Sequence, residues 1–269
     1  MLLLLIQANK LIVGASLGAA ALAVFSRPFG LIRVIENFAA RFAYVVTPTA
    51  SSLQSSRQDE RLLTLLLQSA RLGTALSLPM VLTLAILGDR IMLLWMGPRY
   101  EAGPLTLILA LGYFGTLALW PVTMILVGMN RHGWTAIASL TAAGLSVLLA
   151  VLNAYVFDGG LTGAALAVTL PMVGSAAFVA TYSCREFGVD GWTFVKQAFR
   201  APFACAVPFA LILIASRVLL PARPALAVFG GLALAGPMIL MLYWRFVMPE
   251  ELRVQVRGLL ARARRLAGR

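Results

Sequence analysis

Residues 105–127 read LTLILALGYFGTLALWPVTMILV, and no side chain in this run is charged. A helix needs ~20 apolar residues to cross a ~30 Å hydrocarbon core, so the run is long enough to span a bilayer. Its apolar residues leave no polar face, which excludes an amphipathic helix on the surface of a soluble domain. Seven other stretches are long and mostly apolar. With the first, extended to Pro104, they cover residues 1–17, 19–46, 72–96, 104–127, 134–156, 161–182, 202–219 and 225–246. A membrane barrel would instead show alternating segments of ~10 residues. The sequence therefore predicts an all-α, polytopic membrane protein of about eight transmembrane helices, with residues 1–248 forming the bundle.

Composition agrees. Of 269 residues, 61% are hydrophobic and 12% charged, with a mean hydropathy of +0.90. Soluble domains are about half apolar and about a quarter charged, so an ordinary cytosolic enzyme and a disordered tail are excluded. The net charge of +12 reads as topology and anionic-lipid contact, and no nucleic-acid partner is expected. Cys184 and Cys205 lack the spacing of a disulfide framework or a metal site; they read as lone thiols, and no metal or cofactor is expected. The apolar start lacks a basic n-region, and Gln7, Asn9 and Lys10 interrupt it. It therefore reads as a first span rather than a cleaved signal.

Arginine and lysine give the orientation. Alternate connections carry Arg57, Arg61 and Arg71, then Arg131, then Arg185, Lys196 and Arg200, then the C-terminal arginines. The opposite set carries only Arg90, Arg99, Arg217 and Arg223. Positive-inside bias places both termini in the cytoplasm. Phe187, Trp192 and Phe194 among the charges of residues 183–201 predict a helix lying in the interface. Residues 249–269 place Leu252, Val256, Leu259, Leu260, Ala263 and Leu266 on one helical face, opposite Arg253, Arg257, Arg264 and Arg265. That is a basic amphipathic helix suited to the anionic inner leaflet.

The second span is unlike the others. At 100° per residue, Ser26, Arg33, Glu36, Asn37, Arg41, Tyr44, Thr47 and Ser51 fall within about 140° of one another. Leu31, Ile32, Val34, Ile35, Phe38, Ala39 and Phe42 are expected on the opposite, packed side. Ionisable groups at membrane depth cost ~2.5–3.5 kcal/mol each on insertion scales, so they face a protein interior or a water-filled cavity. Antiparallel packing of the first two spans would bring Lys10 to the stripe. Pro48 is expected to loosen the helix near its end. The guanidinium fork donates paired hydrogen bonds to phosphate, so an anionic headgroup such as a diphosphate suits Lys10, Arg33 and Arg41. Glu36 either neutralises Arg33 one turn away or couples to a cation. Asn37 and Tyr44 complete the expected binding surface. No catalytic set accompanies it. His132, the single histidine, sits beside Arg131 with no supporting carboxylate in sequence, and no P-loop or HExxH motif occurs. An enzyme is not expected.

The order of several motifs carries a resemblance. The runs Gln7-Ala-Asn-Lys-Leu-Ile-Val-Gly14, Leu17-Gly-Ala-Ala-Ala-Leu-Ala-Val-Phe25 and Pro48-Thr-Ala-Ser-Ser-Leu53 come first. Leu94-Trp-Met-Gly-Pro-Arg-Tyr-Glu-Ala-Gly103, Leu107-Ile-Leu-Ala-Leu-Gly112 and Leu126-Val-Gly-Met-Asn-Arg131 follow. Together they resemble the second half of the bacterial O-antigen and exopolysaccharide flippases, in the multidrug/oligosaccharidyl-lipid/polysaccharide exporter superfamily. The likeness weakens after about Gly188.

The resemblance implies two helical bundles around a cavity with alternating access. It also implies transfer of a polyprenyl-diphosphate-linked oligosaccharide across the bacterial inner membrane for O-antigen, capsule or exopolysaccharide synthesis. By position, Lys10, Arg33 and Arg41 match the cationic residues that hold the diphosphate. Family members have ~12–14 spans of ~20 residues, so the first bundle is expected from an upstream half, another polypeptide or a second copy, with polysaccharide assembly proteins as further partners. A drug exporter of the same superfamily is the nearest alternative, and the net positive stripe disfavours it. A membrane-embedded glycan polymerase or acyltransferase would need a larger outer loop or a catalytic set. A non-transporting remnant is the last alternative.

Overall fold

The computed structural model describes residues 2–98, 104–250 and 253, and the side chains of these except 2–6, 42 and 43. Among the described residues there is no strand. The helices are α1 (Leu2–Ser55), α2 (Asp59–Met96), α3 (Leu105–Gly128), α4 (Gly133–Leu152), α5 (Gly160–Glu186), α6 (Gly191–Leu219) and α7 (Pro224–Leu242). A wider π turn ends α4 at Asn153–Phe157 and another ends α7 at Tyr243–Val247. Among the described residues, seven helices are long and apolar enough to cross a membrane.

The first of these is not straight. Gly18 adopts φ 84° and ψ 171°, a conformation essentially closed to residues with a Cβ. The chain folds back there. Leu22 lies against Gly14, and Lys10 Nζ sits 5.4 Å from the Phe29 ring centroid. The two arms, 2–17 and 19–55, correspond to the first two expected spans, so the seven helices among the described residues give eight segments.

The connections are shorter than hydropathy suggests. The second arm of α1 runs through Pro28 and Pro48 with helical geometry, so Pro48 does not end it. Helix α2 begins at Asp59 rather than near residue 72, with Asp59 and Glu60 at its positive N-terminal end. These extensions hold because Leu62, Leu66 and Ala70 are buried with Val46, Ala50, Val122 and Ile125. Residues 183–201 are not a separate interfacial helix. Helix α6 starts at Gly191, capped by the Asp190 carboxylate, which accepts a 3.0 Å hydrogen bond from the Thr193 amide. Phe194 is only 1% exposed and packs in the same cluster, while Trp192 stays outside. The expected tail helix, 249–269, lies outside the described residues apart from 249, 250 and 253.

Helix α3 is the centre of the bundle, packed between α1, α2 and α5. Small residues set these approaches, as they do where lipid gives helices no hydrophobic reason to associate. Gly73 faces the Ala118 carbonyl and Pro121, Gly88 faces Thr106, and Gly112 faces Thr169. Helix α4 leans on α5, whereas α6 and α7 lean on α2 and hardly touch α5. A charged clamp joins α2 to α6. Arg217 donates to both Asp89 carboxylate oxygens at 3.1 and 2.7 Å. Arg90 donates to the carbonyls of Leu220 and Arg217 at 2.6 and 3.0 Å, satisfying acceptors left open at the end of α6.

Replacing Gly18 with Ala should destabilise the fold by ~1–3 kcal/mol, the usual cost of a non-glycine residue in a disfavoured backbone region. Gly144 is helical with open space around it, and Gly144→Ala should be neutral or stabilising by ~0.5–1 kcal/mol. Unfolding of both variants in detergent micelles checks this. Equal effects would show that Gly18 is not a required turn.

Candidate functional site: a cationic stripe on the second arm of α1

Ile32, Ile35, Ala39, Val46 and Ala50 of the second arm are buried. They define the face that packs on α2 and α3. Arg33, Asn37, Arg41 and Tyr44 are exposed on the other side, so four of the expected site residues do share an outward face. Glu36 is partly buried at the margin of this stripe. It lies within electrostatic reach of Arg33 and of Tyr113 on α3. Arg33 and Glu36 form no direct ion pair; among the described residues the ion pairs are Arg131–Glu186 and Arg217–Asp89. The Ser26 hydroxyl donates to the Ala23 carbonyl at 3.3 Å, and the Thr47 hydroxyl is buried without a partner among the described residues.

The fold-back at Gly18 delivers Lys10 to the same place. Its ammonium rests over Phe29 on the second arm, within electrostatic reach of Arg33. A cation on an aromatic face gains ~0.5–2 kcal/mol, so Lys10 is held near the stripe without an opposing carboxylate. The fold therefore brings Lys10 and Arg33 together. Arg41 lies two turns further along the same face, about 12 Å at 1.5 Å per residue.

Two expected packing residues are misplaced. Val34 and Phe38 are 51% and 54% exposed. Relative to Arg33 they lie ~100° and ~140° round the helix, beyond the arc that α2 and α3 cover. Phe42 is among the residues whose side chains are not described. The outward face of the arm is thus polar on one half (Arg33, Asn37, Arg41, Tyr44) and apolar on the other (Val34, Phe38, Val45). The polar half requires water or an anion; the apolar half suits lipid.

Other polar groups are differently placed. Asn9 is 3% exposed, and its amide donates to the Ser146 hydroxyl at 3.0 Å. It borders a small cavity of about 200 Å³ that Thr116, Trp120, Thr123 and Ser175 also line. Its signal in the sequence was a polar amide within an otherwise apolar span. Arg71, Lys196 and Arg200, read above only as topology charges, line a separate cavity. His132 is exposed at the start of α4, and Cys184 and Cys205 are free and buried. Among the described residues, no group of three or more His, Cys, Asp or Glu is placed to hold a metal ion.

The stretch that builds the stripe also carries the family signal. Residues 1–104 match the family of polysaccharide biosynthesis proteins. The match takes in both arms of α1, all of α2 and the turn after it. It supports the flippase-type family that the motifs resemble, and with it a role in making or exporting polysaccharide at a membrane. No curated protein and no solved structure matches the chain.

In a background with Cys184 and Cys205 replaced by Ala, single cysteines at Asn37 and Tyr44 should react with a membrane-impermeant maleimide. Cysteines at Ile35 and Ala39 should not, and those at Val34 and Phe38 should react slowly. Uniform protection of Asn37 and Tyr44 in native membranes would mean that the polar half faces no water.

Proposed function

We propose that this protein moves a polyprenyl-diphosphate-linked oligosaccharide across the bacterial inner membrane, and that Lys10, Arg33 and Arg41 hold the diphosphate on the way. The observation that carries this reading is the outward cationic half-face of the second arm of α1. Arg33 and Arg41 lie along it, Lys10 is brought beside it by the first arm, and the carboxylate of Glu36 sits at its edge. A phosphate-bearing ligand can therefore meet the guanidinium groups without displacing an ion-pair partner. Asn37, between the two arginines, and Tyr44, one turn beyond Arg41, add neutral hydrogen-bonding groups, which suits sugar hydroxyls next to the diphosphate.

The passage needs a facing wall, which a second helical bundle would supply. The polar half of the arm would then line water, and Val34, Phe38 and Val45 would seal its edge. Orientation follows from charge. The end that holds the connections 56–58, 129–132 and 187–190 carries Arg57, Arg61, Arg131, Arg185, Lys196 and Arg200 in or beside them, against Arg90, Arg99, Arg217 and Arg223 at the other end, and this excess supports a cytoplasmic location for it. A cationic drug is a poor alternative cargo, because it would meet three like charges.

The decisive measurement is surface polysaccharide and lipid-linked glycan in a deletion strain complemented with variants of the complete transporter. A charge-assisted hydrogen bond contributes ~1.5–3 kcal/mol, and 1.4 kcal/mol is a factor of ten. Arg33→Ala and Arg41→Ala should each lower export at least about tenfold at normal protein level, with the lipid-linked precursor accumulating. Lysine at either position should restore part of the activity, since charge survives and the paired geometry does not. Full export by the double alanine variant would exclude the stripe as the diphosphate site.

A further inference from the structure

A second cationic site lies away from the stripe. A cavity of about 750 Å³ opens between the first half of α2, the first half of α6 and the end of α7. Arg71, Lys196 and Arg200 line it, with Gln68 and Gln197 beside them and no carboxylate among the described residues of its wall. The rest of the lining is apolar, including Leu67, Ala204, Pro208 and Leu242.

Each cation is positioned. An η-nitrogen of Arg71 donates to the Phe246 carbonyl in the π turn that ends α7. Its Nε–H is buried and has no hydrogen-bond partner among the described residues. Arg253, itself tied to the Met248 carbonyl at 2.8 Å, lies within electrostatic reach of Arg71 and adds positive charge. Lys196 Nζ sits 5.1 Å from the ring centroid of Trp192, and Arg200 follows one turn later on α6. Arg71 and Arg200 stand just before the apolar segments that begin at Leu72 and Pro202. The cations therefore mark the level where hydrocarbon gives way to headgroups, with the apolar part of the cavity beneath them. An apolar groove formed by Trp192, Val195, Phe199 and Phe203 runs beside the same Lys196 and Arg200.

We propose that this cavity binds the headgroup phosphate of an anionic phospholipid, with an acyl chain lying along the neighbouring groove. Basic pockets between membrane helices favour such lipids. Three cations with no carboxylate beside them among the described residues favour an anion, and the Arg71 Nε–H, which has no partner among those residues, supplies a donor. The bilayer itself supplies the ligand and the surroundings for its chains. The site is independent of the stripe, which lies on another helix face.

The test is native mass spectrometry of the purified full chain, titrated with cardiolipin, phosphatidylglycerol or phosphatidylcholine. Arg71 braces α7, so the informative variant is Lys196→Gln/Arg200→Gln, with the exposed pair Arg57→Gln/Arg61→Gln as the control. Each basic residue near anionic lipid contributes enough that losing two should weaken cardiolipin and phosphatidylglycerol binding about thirtyfold. The control should bind as the unaltered protein does, and phosphatidylcholine should bind weakly to all. Equal retention of phosphatidylcholine and phosphatidylglycerol would overturn the proposal. So would an equal loss in both double variants, or displacement of the lipid by millimolar inorganic phosphate alone, which would mark a free-phosphate site.

Discussion

Backbone amides and carbonyls in hydrocarbon have no water to turn to, and this constraint governs the whole molecule. It makes every long apolar run a helix. It also explains the treatment of buried hydroxyls: Thr74, Ser77, Thr169 and Ser183 each donate to a carbonyl one turn earlier. A hydroxyl that bonds within its own helix asks nothing of a neighbour. Helices then approach through Gly73, Gly88 and Gly112, where the opposing surface would collide with any larger side chain.

Against that background the charged groups stand out by where they go. Asp89, Arg90 and Arg217 satisfy one another and the end of α6. Lys10, Arg33 and Arg41 do not. Arg33 and Arg41 are exposed on a face of the second arm of α1, and Lys10 rests over Phe29 beside it, with no ion pair to any of the three among the described residues. Arg71, Lys196 and Arg200 are intermediate. Arg71 is tied to the Phe246 carbonyl and Lys196 rests over Trp192, and no acid lines their cavity among the described residues. The same residue types thus serve as a clamp or as cavity lining, according to whether a carboxylate or carbonyl lies within reach.

Hydropathy made much of this legible. The expected border between the first two spans falls on Gly18, where the backbone does break. Ile32, Ile35 and Ala39 pack as their spacing requires. The failures have specific causes. Residues 47–71 read as a connection because Arg57, Gln58, Asp59, Glu60 and Arg61 depress the local hydropathy. Leu62, Leu66 and Ala70 nevertheless recur at helical spacing and are buried. Phe194 was grouped with Trp192 as an interface residue, although the two point to different sides of α6. Val34 and Phe38 were assigned to the packed side because they are apolar, yet in a bilayer an apolar residue is equally at home facing lipid. The basic cavity was out of reach, since Arg71 and Arg200 meet only through tertiary packing. Which ligand, if any, meets these cations is not written in such patterns, because hydropathy and helical spacing report packing and exposure rather than the chemistry of a binding partner.

The clamp between α2 and α6 has a mechanical consequence. Two helices fastened by a forked ion pair and a capped terminus, with α7 resting on both, make a stiff block. The opposite wing, α4 with α5, is joined to that block chiefly through α3. Any rocking of the bundle would thus carry α2, α6 and α7 as one lever. The folded-back arms of α1 meet at Gly18, whose backbone is free of the Cβ restriction, and would take up the strain.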